Sequence, residues 1–304
     1  MKILITGSHG MIGSAVTPYL IACGHQVSRL VRSTPEPGEV WWDPDKGEID
    51  SPNIEGFDGI VHLAAMPWPM RWTAKAKEKI RANHLGTNRL LAESLARCTH
   101  KPRVMICASG MGYYASSDDE VLTENCPPGM SFLARLQQDG EAATAPASKA
   151  GIRVVHLRIP PVIGGPALQR AGFQAGNGHQ WMSWIGRDEL AFIIEFALTT
   201  ESLSGPVNAV SPNPVRNAEF ARISSKVLGQ KPRIVMPAFV ARLVMGEMGE
   251  EFLLASRRLK PAKLLAAGYQ FRFPELIDTL RHEKDCLNAG SGPHVINKTP
   301  VIRT

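Results

Sequence analysis

The chain is poor in several things, and each shortage narrows what it does. Its five cysteines (Cys23, Cys98, Cys107, Cys126 and Cys286) are odd in number, widely separated and never paired as C-x-x-C. That pattern argues against zinc ribbons and a disulfide framework, and it fits reduced thiols in a cytosolic setting; no metal is expected. No apolar run reaches the roughly 20 residues that cross a bilayer. The N-terminus enters a strand at once, without the basic, apolar and small-residue order of a signal peptide, so a soluble cytoplasmic protein is expected. Lysine and arginine total 34 against 28 acids, a net charge of +6, yet the cations are scattered and form no stripe for nucleic acid. An anionic small molecule is the expected partner, and a homodimer stays open. Tyrosine is scarce, four in 304 residues, and that scarcity bears on the chemistry.

What is present begins with "MKILITGSHGMIG". "KILIT" has the short, β-rich make-up of a buried parallel strand. "MIGSAVTPYLIACG" carries apolar residues at helical spacing, with Gly24 suited to the helix end. Gly7, Gly10 and Gly13 therefore fall at a strand-to-helix turn. Gly7 permits the tight turn, Gly10 lets backbone approach a pyrophosphate, and Gly13 lets helix pack on strand; the helix start offers free N–H groups to phosphates. Thr6, Ser8, His9, Met11 and Ile12 complete the predicted phosphate loop.

The second strand, "HQVSRLVRS", ends in Arg32 where NAD binders place an acid for the ribose hydroxyls. A carboxylate there repels a 2′-phosphate, whereas a guanidinium pairs with it, so NADP is the expected cofactor. "FDGIVHLAA" is a further strand whose end places Leu63, Ala64 and Ala65 beside the adenosine diphosphate, with His62 read as a packed strand residue. A helix over "AKAKEKIRANHLGTNRLLAESLARC" and strands over "PRVMICAS" and "GIRVVHLRI" follow. Arg158, near the end of the last strand, is grouped with the cofactor contacts. The β-α alternation over residues 1–160 predicts an α/β fold, a doubly wound parallel Rossmann sheet.

"TGSHGMIG", "HLAA", "NHLGTNRLL" and "SGMGYYA" stand in the order of an extended short-chain dehydrogenase/reductase. "RWT", "QWMSWIG", "GPVNAVSPNPVRNAEF" and "FRFPEL" narrow the resemblance to an atypical branch labelled sugar-nucleotide epimerase or cell-division inhibitor, with its own small C-terminal domain. The resemblance implies an NADP-binding Rossmann domain with a smaller C-terminal α/β substrate lobe. The expected division is a Rossmann domain over 1–160 with some returning chain, a substrate lobe over 161–284 and a tail over 285–304. "PVNAV" reads as a strand joining the substrate lobe. Ordinary members of that superfamily pair a tyrosine with a lysine four residues later, the lysine lowering the tyrosine pKa for proton transfer. In "SFLARLQQDGE" those places fall on Leu133 and Gln137, or one residue earlier on Phe132 and Leu136. Ser109 (or Gly110, by another alignment) matches the superfamily serine, and Tyr113 and Tyr114 are the nearby hydroxyls, so Ser109, Tyr113 and Tyr114 are the catalytic candidates, Ser109 also touching the cofactor.

Aromatic and polar residues alternate at Trp68, Arg71 and Trp72 and again at Gln180, Met182 and Trp184. A flat apolar wall with a few hydrogen-bonding groups is what a small-molecule pocket needs. Two departures lie beside it: a shortened 164–180 segment, and Pro160-Pro161 in place of the Thr-Gly of the branch, which removes N–H donors. The expected function is an NADP-dependent oxidoreductase, working as a reductase on a small organic molecule. A sugar-nucleotide epimerase and a non-catalytic NADP-binding regulatory protein are the alternatives.

Overall fold

Alternate residues along the central strands divide between two cores, and that alternation builds a three-layer molecule. A computed structural model describes residues 1–66, 71–165, 168, 174–229 and 235–288. In β1 (Lys2–Thr6), Ile3 and Ile5 face Val16, Tyr19 and Leu20 of α1 (Gly13–Ala22), together with Leu190, Ile193 and Ile194 of α5 (Arg187–Thr199). Leu4 faces the other way, toward Leu91 and Leu95 of α2 (Ala74–Arg97) and Ala147 of α4 (Ala145–Lys149).

The remaining strands of the main sheet are β2 (Gln26–Val31), β3 (Val40–Asp43), β4 (Glu48–Ile49), β5 (Gly59–His62), β6 (Val104–Gly110), β8 (Arg153–Ile159) and β12 (Gly205–Asn208). They lie in the order β12-β8-β6-β5-β1-β2-β3-β4, parallel except for the β3–β4 pair. Strand order reverses between β1 and β5, so the crevice for a ligand opens at their carboxyl ends. This is the doubly wound parallel sheet that the alternation predicts. Two elements differ from expectation. The pair β3–β4 extends the edge beyond β2, its Val40 and Trp42 buried at strand spacing. "PVNAV", read as joining the substrate lobe, pairs in parallel with β8 and completes the main sheet instead.

The lobe is built from the short strands β7 (Val121–Leu122), β9 (Val162–Ile163), β10 (Trp181–Met182), β11 (Ile185–Gly186), β13 (Val215–Arg216) and β14 (Arg258–Leu259). Its helices are α6 (Asn217–Leu228), α7 (Ala238–Met245), α8 (Glu247–Gly249), α9 (Ala262–Ala266) and α10 (Leu276–Asn288). α6 ends at Gly229, whose φ of +66° supplies the left-handed cap. The chain leaves the sheet after Ile159, returns as α5 and β12, and leaves again after Asn208. Buried Glu189 of α5 ties the parts together: it accepts the Arg272 and Phe273 N–H groups and the Tyr269 hydroxyl, which accounts for the "FRF" motif. Among the described residues no helix is long and apolar enough to cross a membrane.

Candidate functional site

The loop between β1 and α1 is held from below by Thr6. The Thr6 Oγ1 atom accepts the N–H groups of Leu63 and Ala64, both at 3.1 Å, and lies 2.8 Å from His62 Nδ1. With two donors already on that oxygen, the hydroxyl proton points to His62 Nδ1, so the imidazole carries its proton on Nε2. Burial pushes the His62 pKa down to about 4, and the ring is neutral at pH 7. Thr6 is therefore fully buried and binds the ends of β1 and β5 together; it is not the cofactor contact that the sequence indicates.

Gly7 has φ +69°, and a Cβ there would sit 2.7 Å from the Leu63 carbonyl carbon. A Cβ on Gly13 would lie 2.1 Å from Gly7 O. Both glycines are demanded by the fold itself. Gly10 differs: an added Cβ meets only Gly7 O, at 3.2 Å, and its bare side faces a groove of about 330 Å³. That groove is lined by Gly7, Ser8, His9, Gly10, Arg32, Leu63, Ala64 and Ala65, all predicted contacts, and also by Trp42 and Asn83. Exposed Arg32 stands at its rim, while its neighbour Arg29 pairs with Glu39 at 3.7 Å. Met11 is exposed, and Ile12 packs into the core, so neither side chain faces the groove; both stand just before α1, where backbone N–H groups lack helical partners.

A second cavity, of about 300 Å³, continues from the first, sharing Ala65, Met66 and Asn83 with it. Its walls include Ile80, Leu133, Ile159, Pro160, Pro161 and Phe252, so it is a largely apolar chamber. Ser109 opens into it and donates to Glu141 Oε1 at 2.8 Å, with Gln137 Oε1 at 3.2 Å, both on α3 (Phe132–Ala142). Leu133 and Gln137, the positions of the absent tyrosine and lysine, also line it. Asn83 and His84 of "NHLGTNRLL", neither of them a predicted site residue, also line it. His84 packs where Gly140 leaves room, since a Cβ there would lie 2.3 Å from His84 Nε2; burial lowers the pKa of this histidine and Glu141 opposes the shift. Glu251 and Phe252, from a π-helical turn, and Arg257, from the segment just before β14, close the far side.

Several predicted site residues sit elsewhere. Arg158 is 2 % exposed: its guanidinium holds Glu141 through two bonds of 2.9 Å, donates to the Tyr114 hydroxyl and lies 3.3 Å from the centre of the Tyr113 ring. It is an internal ion pair, not a cofactor contact. Tyr114 is fully buried, donates to Asn208 Oδ1 at 2.7 Å, and has its pKa raised to about 12 by that burial. Neither tyrosine lines the chamber; of the three catalytic candidates only Ser109 does. Trp184 is fully buried in the lobe core, its Nε1 donating to Asn213 O, and Met182 packs against the same core. Gln180 is spent on the Ala175 and Leu253 carbonyls beside a separate, open cavity of about 900 Å³. Arg71 lies on the surface and donates to Leu243 O. Trp72 backs the chamber, stacked edgewise on Phe132 and Phe252. Trp68 lies outside the described residues.

Residues 3–175 match the NAD dependent epimerase/dehydratase family, and residues 236–283 match a domain of unknown function, DUF1731. The chain belongs to the NAD-dependent epimerase/dehydratase family. It is 37% identical over 292 residues to "Epimerase family protein ML0860" of Mycobacterium leprae, covering 92% of this chain and 94% of that one. Its fold superposes on the crystal structure of human epimerase family protein SDR39U1 (isoform 2) with NADPH at a TM-score of 0.84 and 30% identity, over 94% of this chain and 99% of that one. A nucleoside-diphosphate sugar epimerase from Corynebacterium glutamicum matches at a TM-score of 0.79 and 36% identity, over 93% of this chain and 58% of that one. Within the family the chain fits the atypical extended short-chain dehydrogenase/reductase branch.

Proposed function

We propose that this chain is an NADPH-dependent reductase of a small organic molecule. The observation that carries the reading is the continuous groove: a phosphate loop with Gly10 bare toward it and Arg32 at its rim, opening into an apolar chamber where Ser109 is held by α3. The residues present fit NADPH. Backbone N–H groups at the start of α1 would meet the pyrophosphate, Arg32 the 2′-phosphate, and Leu63, Ala64 and Ala65 the adenosine half. The NADPH bound to the human relative supports this cofactor. Bound here, it would supply a hydride.

The rest falls to the chain. The apolar walls exclude water and hold a small electrophile, which strengthens polar contacts inside the chamber. Ser109 gives its proton to Glu141, so its oxygen faces the chamber as an acceptor; turning that proton toward a substrate oxygen makes it an orienting donor. With neither tyrosine lining the chamber, the balancing proton comes from Ser109, from water or from the substrate. Epimerisation needs an acid-base group for oxidation and again for re-reduction, and Leu133 and Gln137 supply neither, which ranks that alternative lower.

Nucleotide-free protein given NADPH and a panel of aldehydes, ketones and activated alkenes tests the proposal. Substrate-dependent loss of the reduced-nicotinamide absorbance, diminished in Ser109→Ala, is the expected result. Tight NADPH binding without turnover of any panel member would favour the regulatory alternative over the reductase.

A further inference from the structure

Outside the residues that line the groove and chamber, α10 lays two potential metal ligands against the start of α5. His282 and Cys286 are four residues apart and so share one helix face. Asp188, the second residue of α5, meets them: its Oδ2 is 2.9 Å from His282 Nε2 and 3.9 Å from Cys286 Sγ, and the sulfur is 3.6 Å from the same nitrogen. Zinc bonds of about 2.0 Å to nitrogen or oxygen and about 2.3 Å to sulfur, in a tetrahedron, set neighbouring donors about 3.3–3.6 Å apart. The three atoms thus already stand close to a metal's coordination triangle, with the Asp188–His282 edge needing to open slightly.

We propose that Asp188, His282 and Cys286 form a binding site for a divalent, thiol-tolerant metal ion of the zinc class, which pins α10 to α5. The donor set is an imidazole, a carboxylate and a thiol, a mixture that favours zinc over magnesium or calcium. Supporting contacts fix two of the three ligands. Arg187 Nε holds the other Asp188 oxygen at 3.3 Å, and Phe273 stacks on the His282 ring with centroids 4.3 Å apart. Asp188 and Cys286 are 1 % and 2 % exposed, while His282 at 13 % forms the solvent side of the cluster, and water is the expected fourth ligand.

Charge provides an independent argument. Glu283, 1 % exposed, abuts the same aspartate by accepting its backbone N–H, yet its Oε2 accepts no hydrogen bond among the described residues. Arg187 is the cation that faces both buried carboxyls, at 3.3 Å from Asp188 and 3.8 Å from Glu283. One guanidinium thus serves two buried carboxyls, with His282 the other basic group against Asp188. A divalent ion held there would release the Cys286 proton to solvent and place positive charge beside both carboxyls. The cluster is separate from the proposed cofactor groove, so the two proposals stand or fall apart.

Full-length, tag-free protein stripped with chelator and titrated with Co²⁺ tests the site. One equivalent per chain, with a thiolate-to-cobalt charge-transfer band displaced by Zn²⁺, is expected; Cys286→Ala abolishes the band, and His282→Ala weakens binding at least tenfold. Absence of that band in the unmodified protein overturns the proposal whatever the variants do, and so does a band that persists in Cys286→Ala. Zn²⁺ should also raise the melting temperature of the unmodified protein, and no rise would count against a site that pins α10.

Discussion

Gly10 and Gly13 stand three residues apart in one loop and answer to different demands. Gly13→Ala drives a methyl into Gly7 O and should destabilise the protein by about 1–3 kcal/mol, the cost of an overpacked contact. Gly10→Ala should melt close to the parent temperature and lose at least tenfold in NADPH affinity, because its methyl enters the groove. Thermal melts and calorimetry separate the two, and equal melting losses in both would contradict the assignment. Arg32→Ala should weaken NADPH by about 1.5–3 kcal/mol, the range for a charged hydrogen bond, and leave NADH unaffected; matched losses for both dinucleotides would remove Arg32 from the 2′-phosphate. His62 sets a pH dependence. Its unfolded pKa is about 6.5, and the folded value is about 4. Between these the unfolded chain binds more protons, so stability falls as pH drops from about 6.5 to about 4, by about 3 kcal/mol, and is flat on either side for this group. Urea melts of the parent and His62→Asn check this: the variant should lose that limb. Spacing alone exposed the glycines, because backbone geometry at a strand-to-helix turn leaves few other uses for them, and a place just after β2 puts Arg32 beside the groove. It misplaced Trp184 and Arg158 because an indole or guanidinium reads the same in sequence whether its donors meet a ligand or Asn213 O and Glu141.

The helix that lost its tyrosine and lysine is still bound to the sheet by charge. Glu141 of α3 and Arg158 of β8 form a largely buried pair that also holds Ser109 and Tyr114. Glu141→Gln should cost about 3–5 kcal/mol, as it strands a buried guanidinium, and adding Arg158→Met should recover most of the loss. Chemical denaturation of the single and double variants measures this, and purely additive losses would mean the pair is not the unit that matters. Such pairing was hidden in the sequence because the partners are 17 residues apart on different elements. Long periodic elements such as α2 were legible with their ends nearly in place. The four-residue β3 was not, since Val40 and Trp42 alone give too short an alternation to separate strand from loop. Likewise β12 was seen as a strand, but its place in the main sheet depends on pairing with β8, a long-range contact that no local pattern encodes.

The two parts of the molecule share their cores. Leu190, Ile193, Ile194 and Val207, all after residue 160, fill the same cluster as Ile3, Ile5 and Val61. A fragment of residues 1–160 would expose that face and leave β8 as a bare edge. It should lack a cooperative melt and aggregate on gel filtration, and a sharp thermal transition from that fragment would show the sheet to be self-sufficient. The groove and chamber are likewise joint property, the phosphate loop coming from β1 and α1 and the far wall from residues 251, 252 and 257. Because the backbone threads back and forth between halves, neither half can be exchanged as a cassette with that of a relative. A change in the chamber then has to come from single side chains on a shared frame, Pro160 and Pro161 in its wall among them.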